Sequence, residues 1–201
     1  MGIKKIGLLG GSFDPVHLAH IALADAAHDT LSLDAVELIP ASDPWQRAPL
    51  QAAPQHRAAM LKLAIADKPY LHVNTVEIER GGKTYTVETV KELPPGAEYY
   101  WILGADQLGN FCSWHCWQEI AARVFLVVAQ RPGTDLIVPP RLQHYLDSVG
   151  RTVINLPFEP ISISATDIRQ RLAAGLPVNK LLNAAVTQYI QQNNLYQTPL
   201  S

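Results

Sequence analysis

A chain of 201 residues, 48% hydrophobic and 17% charged, has the makeup of one ordinary globular domain with a sizeable core, which excludes a disordered chain. Its formal net charge of −2 excludes a general polyanion binder, which needs a basic face to displace counterions, while a small phosphate ligand needs only a few local donors. Two cysteines, Cys112 and Cys116, are too few for a disulfide framework, and no apolar run has the length of a signal core or a span. The expectation is a soluble cytoplasmic protein with no nucleic-acid or membrane partner.

In chain order, Ile3 to Leu9 reads as a buried strand and His17 to Leu31 as an alanine-rich helix. Ala35 to Ile39 is a second strand closed by Pro40, followed by a proline-rich loop and a helix from Gln55 to Ala66. Leu71 to Ile78 reads as a strand and Thr84 to Leu93 as a helix. Tyr99 to Leu103 and Val124 to Ala129 are apolar strands with a helical stretch, Trp114 to Ala122, between them. Val153 to Leu156 is a shorter last strand, and Ser164 to Asn194 reads as two or three short helices.

Strands separated by helices imply right-handed crossovers and a parallel sheet covered on both faces. The expected class is therefore α/β, a doubly wound parallel sheet, in one domain over residues 1–201 with a helical subregion at 164–195. In such folds ligands sit at the carboxyl ends of the strands, which gathers the loops after Leu9, Ile39, Leu103 and Ala129 around one crevice.

The loop after the first strand reads GGSFDPVHLAH, Gly10 to His20. A strand before it and a helix after it aim free N–H groups and the helix dipole at an anion, and Gly10 and Gly11 let the main chain come close. His17 and His20, three apart, share a face and can reach one ligand. Imidazoles there can donate to phosphate oxygens whose charge grows when the α-phosphorus becomes five-coordinate. Taken alone, such a pair is also that of a surface site or half a metal site. Near the C-terminus, Pro160 to Arg171 reads PISISATDIRQR. Ser164 is a helix N-cap with Asp167 three residues on, Ile168 and Leu172 face the core, and Arg169 lies on another face. Taken alone, this is an ordinary capped helix.

Together the two stretches resemble the paired HxGH and ISxTxxR motifs of the HxGH nucleotidylyltransferase superfamily, with Ala19 where glycine is usual. Middle segments are similar to the bacterial nicotinate-mononucleotide adenylyltransferases: KTYTVETV (Lys83 to Val90), ILGADQLGNFCSW (Ile102 to Trp114) and VVAQRPG (Val127 to Gly133). The resemblance implies a Rossmann-like nucleotidylyltransferase fold and transfer of AMP from ATP to nicotinate mononucleotide, with Mg²⁺ carried by the ATP phosphates. It implies His17, His20 and Arg169 as catalytic groups, Ser12 and Phe13 as backbone donors, and Ser164 and Thr166 in a second phosphate clamp. By the same carry-over Gly104 and Asp106 hold a ribose, Arg131 lies near phosphate, and Tyr85, Thr86, Trp114 and His115 border the nicotinate pocket. Where relatives carry a Pro-Pro-His-Lys type segment, this chain has Pro44–Trp45–Gln46–Arg47; Arg47 supplies the charge, and Gln46 replaces an imidazole with an amide.

A zinc site at Cys112, His115 and Cys116 would need a fourth ligand, and partly buried thiols are expected instead. Two alternatives stand beside the main reading: a different acceptor, nicotinamide mononucleotide or another small phosphate ester, and a non-catalytic nucleotide sensor. A monomer or weak homo-oligomer is expected.

Overall fold

The computed structural model describes residues 2–44 and 49–197. The chain runs through β1 (Lys4–Gly11), α1 (Leu18–Leu31), β2 (Ala35–Pro40), the two-residue β3 (Asp43–Pro44), α2 (Pro54–Ala64) and β4 (Leu71–Val73). It continues through α3 (Val76–Arg80), β5 (Lys83–Thr84), α4 (Thr86–Lys91), β6 (Ala97–Gly104), α5 (Ala105–Asn110), a tight turn at Phe111–Ser113 and α6 (Trp117–Arg123). β7 (Phe125–Gln130), α7 (Pro140–Ser148), β8 (Ile154–Pro157), α8 (Ala165–Ala173) and α9 (Ala184–Gln192) complete it.

The main sheet has the order β4-β2-β1-β6-β7-β8 and every pairing in it is parallel. Counting only its own strands, that order is 3-2-1-4-5-6, the doubly wound Rossmann arrangement, and its winding reverses between β1 and β6. The carboxyl ends of those two strands, Gly10–Gly11 and Gly104, flank the resulting crevice.

Alternate residues of each central strand feed opposite cores. Tyr100, Ile102 and Val127 join Leu61 of α2 and Ile21 of α1, along with Ile168, Val186 and Ile190 from the last two helices. Trp101, Leu103, Leu126 and Val128 face the other way, against Val87, Leu108, Ile120 and Leu142. The C-terminal helices thus close the same core as α1 and α2. Among the described residues, no helix is long and apolar enough to cross a membrane.

Two expectations change. The strand expected over Leu71 to Ile78 ends at Val73, and Val76 to Arg80 is helical. Asn74 makes the turn: its Oδ1 accepts from the Val76 N–H at 3.0 Å, and its Nδ2 donates to Glu37 Oε2 at 2.7 Å. Side-chain bonds of this kind give the backbone an alternative to a ladder. Helices α5 and α7 were not expected. Helix α7 starts on Pro140 at its first position and buries Leu142 and Leu146, one turn apart, each worth about 1.5–3 kcal/mol of removal from water.

Candidate active site

The loop after β1 is shaped by close packing as much as by room for a ligand. A Cβ on Gly10 would lie 3.0 Å from the Trp101 ring, and one on Gly11 would lie 2.9 Å from Phe13. Phe13 itself is buried, with a left-handed φ of 47°, a conformation that costs a non-glycine residue energy and has to be held by its surroundings.

Asp14 and Arg57 hold it, and neither was singled out from the sequence as a site residue. The Asp14 carboxylate is buried and accepts from the Gln51 N–H at 2.8 Å, the Ala52 N–H at 3.0 Å and the Tyr196 hydroxyl at 2.7 Å. Arg57, fully buried, donates to three backbone carbonyls: Ser12 at 2.7 Å, Ala52 at 3.2 Å and Ser42 at 3.2 Å. Burial lowers its guanidinium pKa, and the neighbouring Asp14 charge opposes that shift. A signal for Arg57 was present: Arg57, Met60, Leu61 and Ala64 are the buried stripe of α2, and an arginine on an apolar helix face calls for internal acceptors.

At the start of α1, the His17 and His20 rings stack with centroids 3.6 Å apart and planes at 21°. The His17 backbone N–H donates to His20 Nδ1 at 3.2 Å, which places the proton of the neutral ring on Nε2 and makes that atom a donor. Only 7% of His17 is exposed, and burial lowers its pKa to about 4. At neutral pH His17 is therefore an uncharged ring whose buried Nδ1 has no hydrogen-bond partner among the described residues, and among the described residues beside it Arg169 carries the fixed positive charge.

The second motif behaves as a capped helix. Ser164 Oγ accepts from the Asp167 N–H at 3.1 Å, satisfying one of the orphan donors of α8. Ile168 is buried, Leu172 packs against the core, and Arg169 is turned toward the first loop. Its Nη1 donates to the Asp14 carbonyl at 2.7 Å and its Nη2 to Thr166 Oγ1 at 3.3 Å. Residues 155 positions apart thus share one wall: Ser12, His17, His20, Ser164, Thr166 and Arg169 line a single pocket.

A second, more aromatic pocket adjoins it. Gly10, Gly11 and Ser12 form one side, and Tyr85, Thr86, Trp114 and His115 the other, so Ser12 belongs to both. The Tyr85 and His115 rings are 5.1 Å apart, and Trp114 rests on buried Phe111 at 5.2 Å. The wall is built by the β3–β5 ribbon, which pairs Asp43 with Lys83 and Pro44 with Thr84. Thr84 Oγ1 accepts from the N–H groups of Ser42 and Asp43, docking the loop after β2 beside Tyr85. Two wall residues not foreseen are Glu77 and Gln107; burial raises the Glu77 carboxyl pKa, and the Thr89 hydroxyl donates to it at 2.6 Å.

Other expected residues lie outside these two pockets. Phe13 is core. Gly104 caps α5, with its N–H on Gln107 Oε1 at 3.0 Å. Asp106 is exposed in the first turn of α5, and Arg131 is exposed and paired with Glu159 at 3.2 Å. Arg47, with Gln46, lies outside the described residues. Trp117 is buried against Phe111 and Tyr145. Both thiols are partly buried, and among the described residues no cluster of three or more His, Cys, Asp or Glu is placed to hold a metal.

Comparison with known proteins agrees with this architecture. The cytidylyltransferase-like family model matches residues 8–171. A probable nicotinate-nucleotide adenylyltransferase of Bordetella pertussis is 57% identical over 98% of this chain and 100% of its own length. One of Herpetosiphon aurantiacus is 39% identical over 96% and 99%. In fold, the chain is similar to a Plasmodium falciparum nicotinic acid mononucleotide adenylyltransferase complexed with NaAD, with a TM-score of 0.74 at 22% identity, covering 96% of this chain and 97% of that one.

Proposed function

The chain belongs to the nicotinate-nucleotide adenylyltransferases, within the cytidylyltransferase-like family, and from that premise we propose that it transfers AMP from ATP to nicotinate mononucleotide. The products are deamido-NAD and pyrophosphate. The observation that carries this is the junction at Ser12: a pocket of phosphate donors on one side, an aromatic pocket on the other. A triphosphate in the first and a pyridine ring in the second would meet at the end of β1.

The chemistry asks little of the protein beyond placement and charge. A phosphate oxygen of the mononucleotide attacks the α-phosphorus in line, the bond to the bridging oxygen breaks, and pyrophosphate departs with the electron pair. The nucleophile is already an anion, so no general base is required, which suits a neutral His17. His20 Nε2–H and the Arg169 guanidinium would stabilise the oxygens of the five-coordinate phosphorus. Ser12 and Phe13 would add backbone donors, and Ser164 and Thr166 would support the far end of the triphosphate.

In the aromatic pocket the indole face of Trp114 would stack on the electron-poor pyridine ring, bordered by Tyr85, Thr86 and His115. Gly104 and Asp106, at the end of β6 and the start of α5 beside these pockets, would hold a ribose, with Arg131 near phosphate. These residues fit Mg²⁺ delivered on ATP and held by phosphates and water, as that ion prefers: Asp14, the acidic side chain in the phosphate wall, is already taken up by Gln51, Ala52 and Tyr196. Bound there, the metal supplies neutralising charge to the departing pyrophosphate.

The test is pyrophosphate release by the purified protein with Mg-ATP and, separately, nicotinate and nicotinamide mononucleotides. Release with the acid well above release with the amide is expected, and His20→Ala should cut turnover by about 10²–10³-fold. No release with either substrate would overturn the reading.

A further inference from the structure

We propose that Tyr196, at the far end of the chain, is a positioning residue for the phosphate loop, acting through Asp14. The inference rests on the adenylyl-transfer reading of the cleft and adds to it a control point outside both pockets.

The tail is steered there by a defined turn. After α9, Asn194 takes a φ of 51° and Tyr196 one of 60°, and the Leu195 N–H reaches back to the Ile190 carbonyl at 3.0 Å. That is the 6→1 bond of a Schellman helix ending, and it turns Tyr196 inward, where 9% of it is exposed. Burial and the adjacent Asp14 carboxylate raise the hydroxyl pKa, so the hydroxyl stays a donor. Its acceptor, Asp14 Oδ1 at 2.7 Å, lies 182 residues away.

Asp14 is the point where four segments meet. Its carboxylate holds the Gln51–Ala52 backbone and Tyr196, and its carbonyl holds Arg169 Nη1. One residue before it comes left-handed Phe13, then Ser12, whose carbonyl is held by Arg57. A tilt of Asp14 would therefore move the Arg169 guanidinium and the Ser12–Phe13 backbone together, and both belong to the phosphate site. Without the hydroxyl, the donors that Asp14 keeps among the described residues are the two backbone N–H groups of Gln51 and Ala52. Of the residues in this network the aromatic pocket shares Ser12, while its wall of Tyr85, Thr86, Trp114 and His115 stands apart, so mononucleotide binding should change less than pyrophosphate binding.

Tyr196→Phe keeps the ring and its packing and removes only the O–H. It should lower kcat about tenfold, the fold-change worth of one hydrogen bond to a charged group. KM for nicotinate mononucleotide should stay within about twofold of wild type, and pyrophosphate should bind about fivefold more weakly by calorimetry. The control is Tyr189→Phe, which removes the hydroxyl on α9 that pairs with His56 Nδ1 at 2.9 Å and should leave kcat unchanged. Wild-type kcat and wild-type pyrophosphate affinity in Tyr196→Phe would overturn the proposal, as would an equal loss in Tyr189→Phe. If wild type itself releases no pyrophosphate, the functional reading fails, and pyrophosphate affinity alone decides this proposal: weaker in Tyr196→Phe supports it, unchanged refutes it.

Discussion

Acid should destabilise this protein through His17. The folded chain holds that ring at a pKa of about 4 by burying it, whereas an unfolded chain titrates it near the ordinary 6.5. Between those values the unfolded state binds the extra proton, so the His17 contribution is complete above about pH 7, falls as the pH drops through about 6.5, and levels off below about 4. A gap of that width is worth about 3 kcal/mol in full, of which about 2.5 kcal/mol is lost by about pH 4.5. The measurement is urea unfolding of wild type and His17→Gln from about pH 7.5 down to about pH 4.5, with stability extrapolated to water at each step. Carboxylates titrate in both proteins, so the difference between the two curves isolates the imidazole, and wild type should lose about 2.5 kcal/mol relative to the variant. Curves that stay parallel within about 0.5 kcal/mol would show that the buried ring accepts its proton as readily as an exposed one, and the argument from burial would be wrong.

Arg57→Met should cost about 3–5 kcal/mol, because it strips a buried carboxylate of its cationic neighbour and orphans three carbonyls; calorimetry should show melting lower by about 10 °C, on about 2–4 °C per kcal/mol for a chain this size. A drop of only a degree or two would mean water takes over the carbonyls. Trp114→Ala should raise KM for nicotinate mononucleotide about tenfold while KM for ATP stays within about twofold, from the lost ring contact and its buried area. Steady-state kinetics with each substrate varied checks this, and an equal rise in both constants would remove Trp114 from the mononucleotide pocket.

Composition, periodicity and local motif chemistry were enough for the architecture. The nearly continuous apolar runs Ile3 to Leu9 and Val124 to Ala129 announced strands buried on both faces, and alternation with helices left a doubly wound sheet as the consistent topology. The errors were local. Val76 and Ile78 carry strand-forming side chains, and the chain turns at Asn74 because Glu37 on the neighbouring strand accepts its amide. No reading of residues 71–78 alone contains that acceptor.

The site divides in the same way. Gly10 to His20 and Ser164 to Arg169 could be read as candidate segments directly, since each is a helix start whose polar side chains are adjacent in the chain, the first with two glycines before it, and local bonds such as Ser164 with Asp167 depend only on nearby residues. What joins those segments was decided by tertiary structure alone: Arg57 buried beneath Ser12, Arg169 docked on the Asp14 carbonyl, Tyr196 closing on Asp14 from the tail, and the β3–β5 ribbon setting Tyr85 beside Trp114. Each of these pairs residues from distant parts of the chain, and a buried polar group's partner is determined by which acceptor the packed fold brings within about 3 Å of it, a distance that exists only once the sheet has formed.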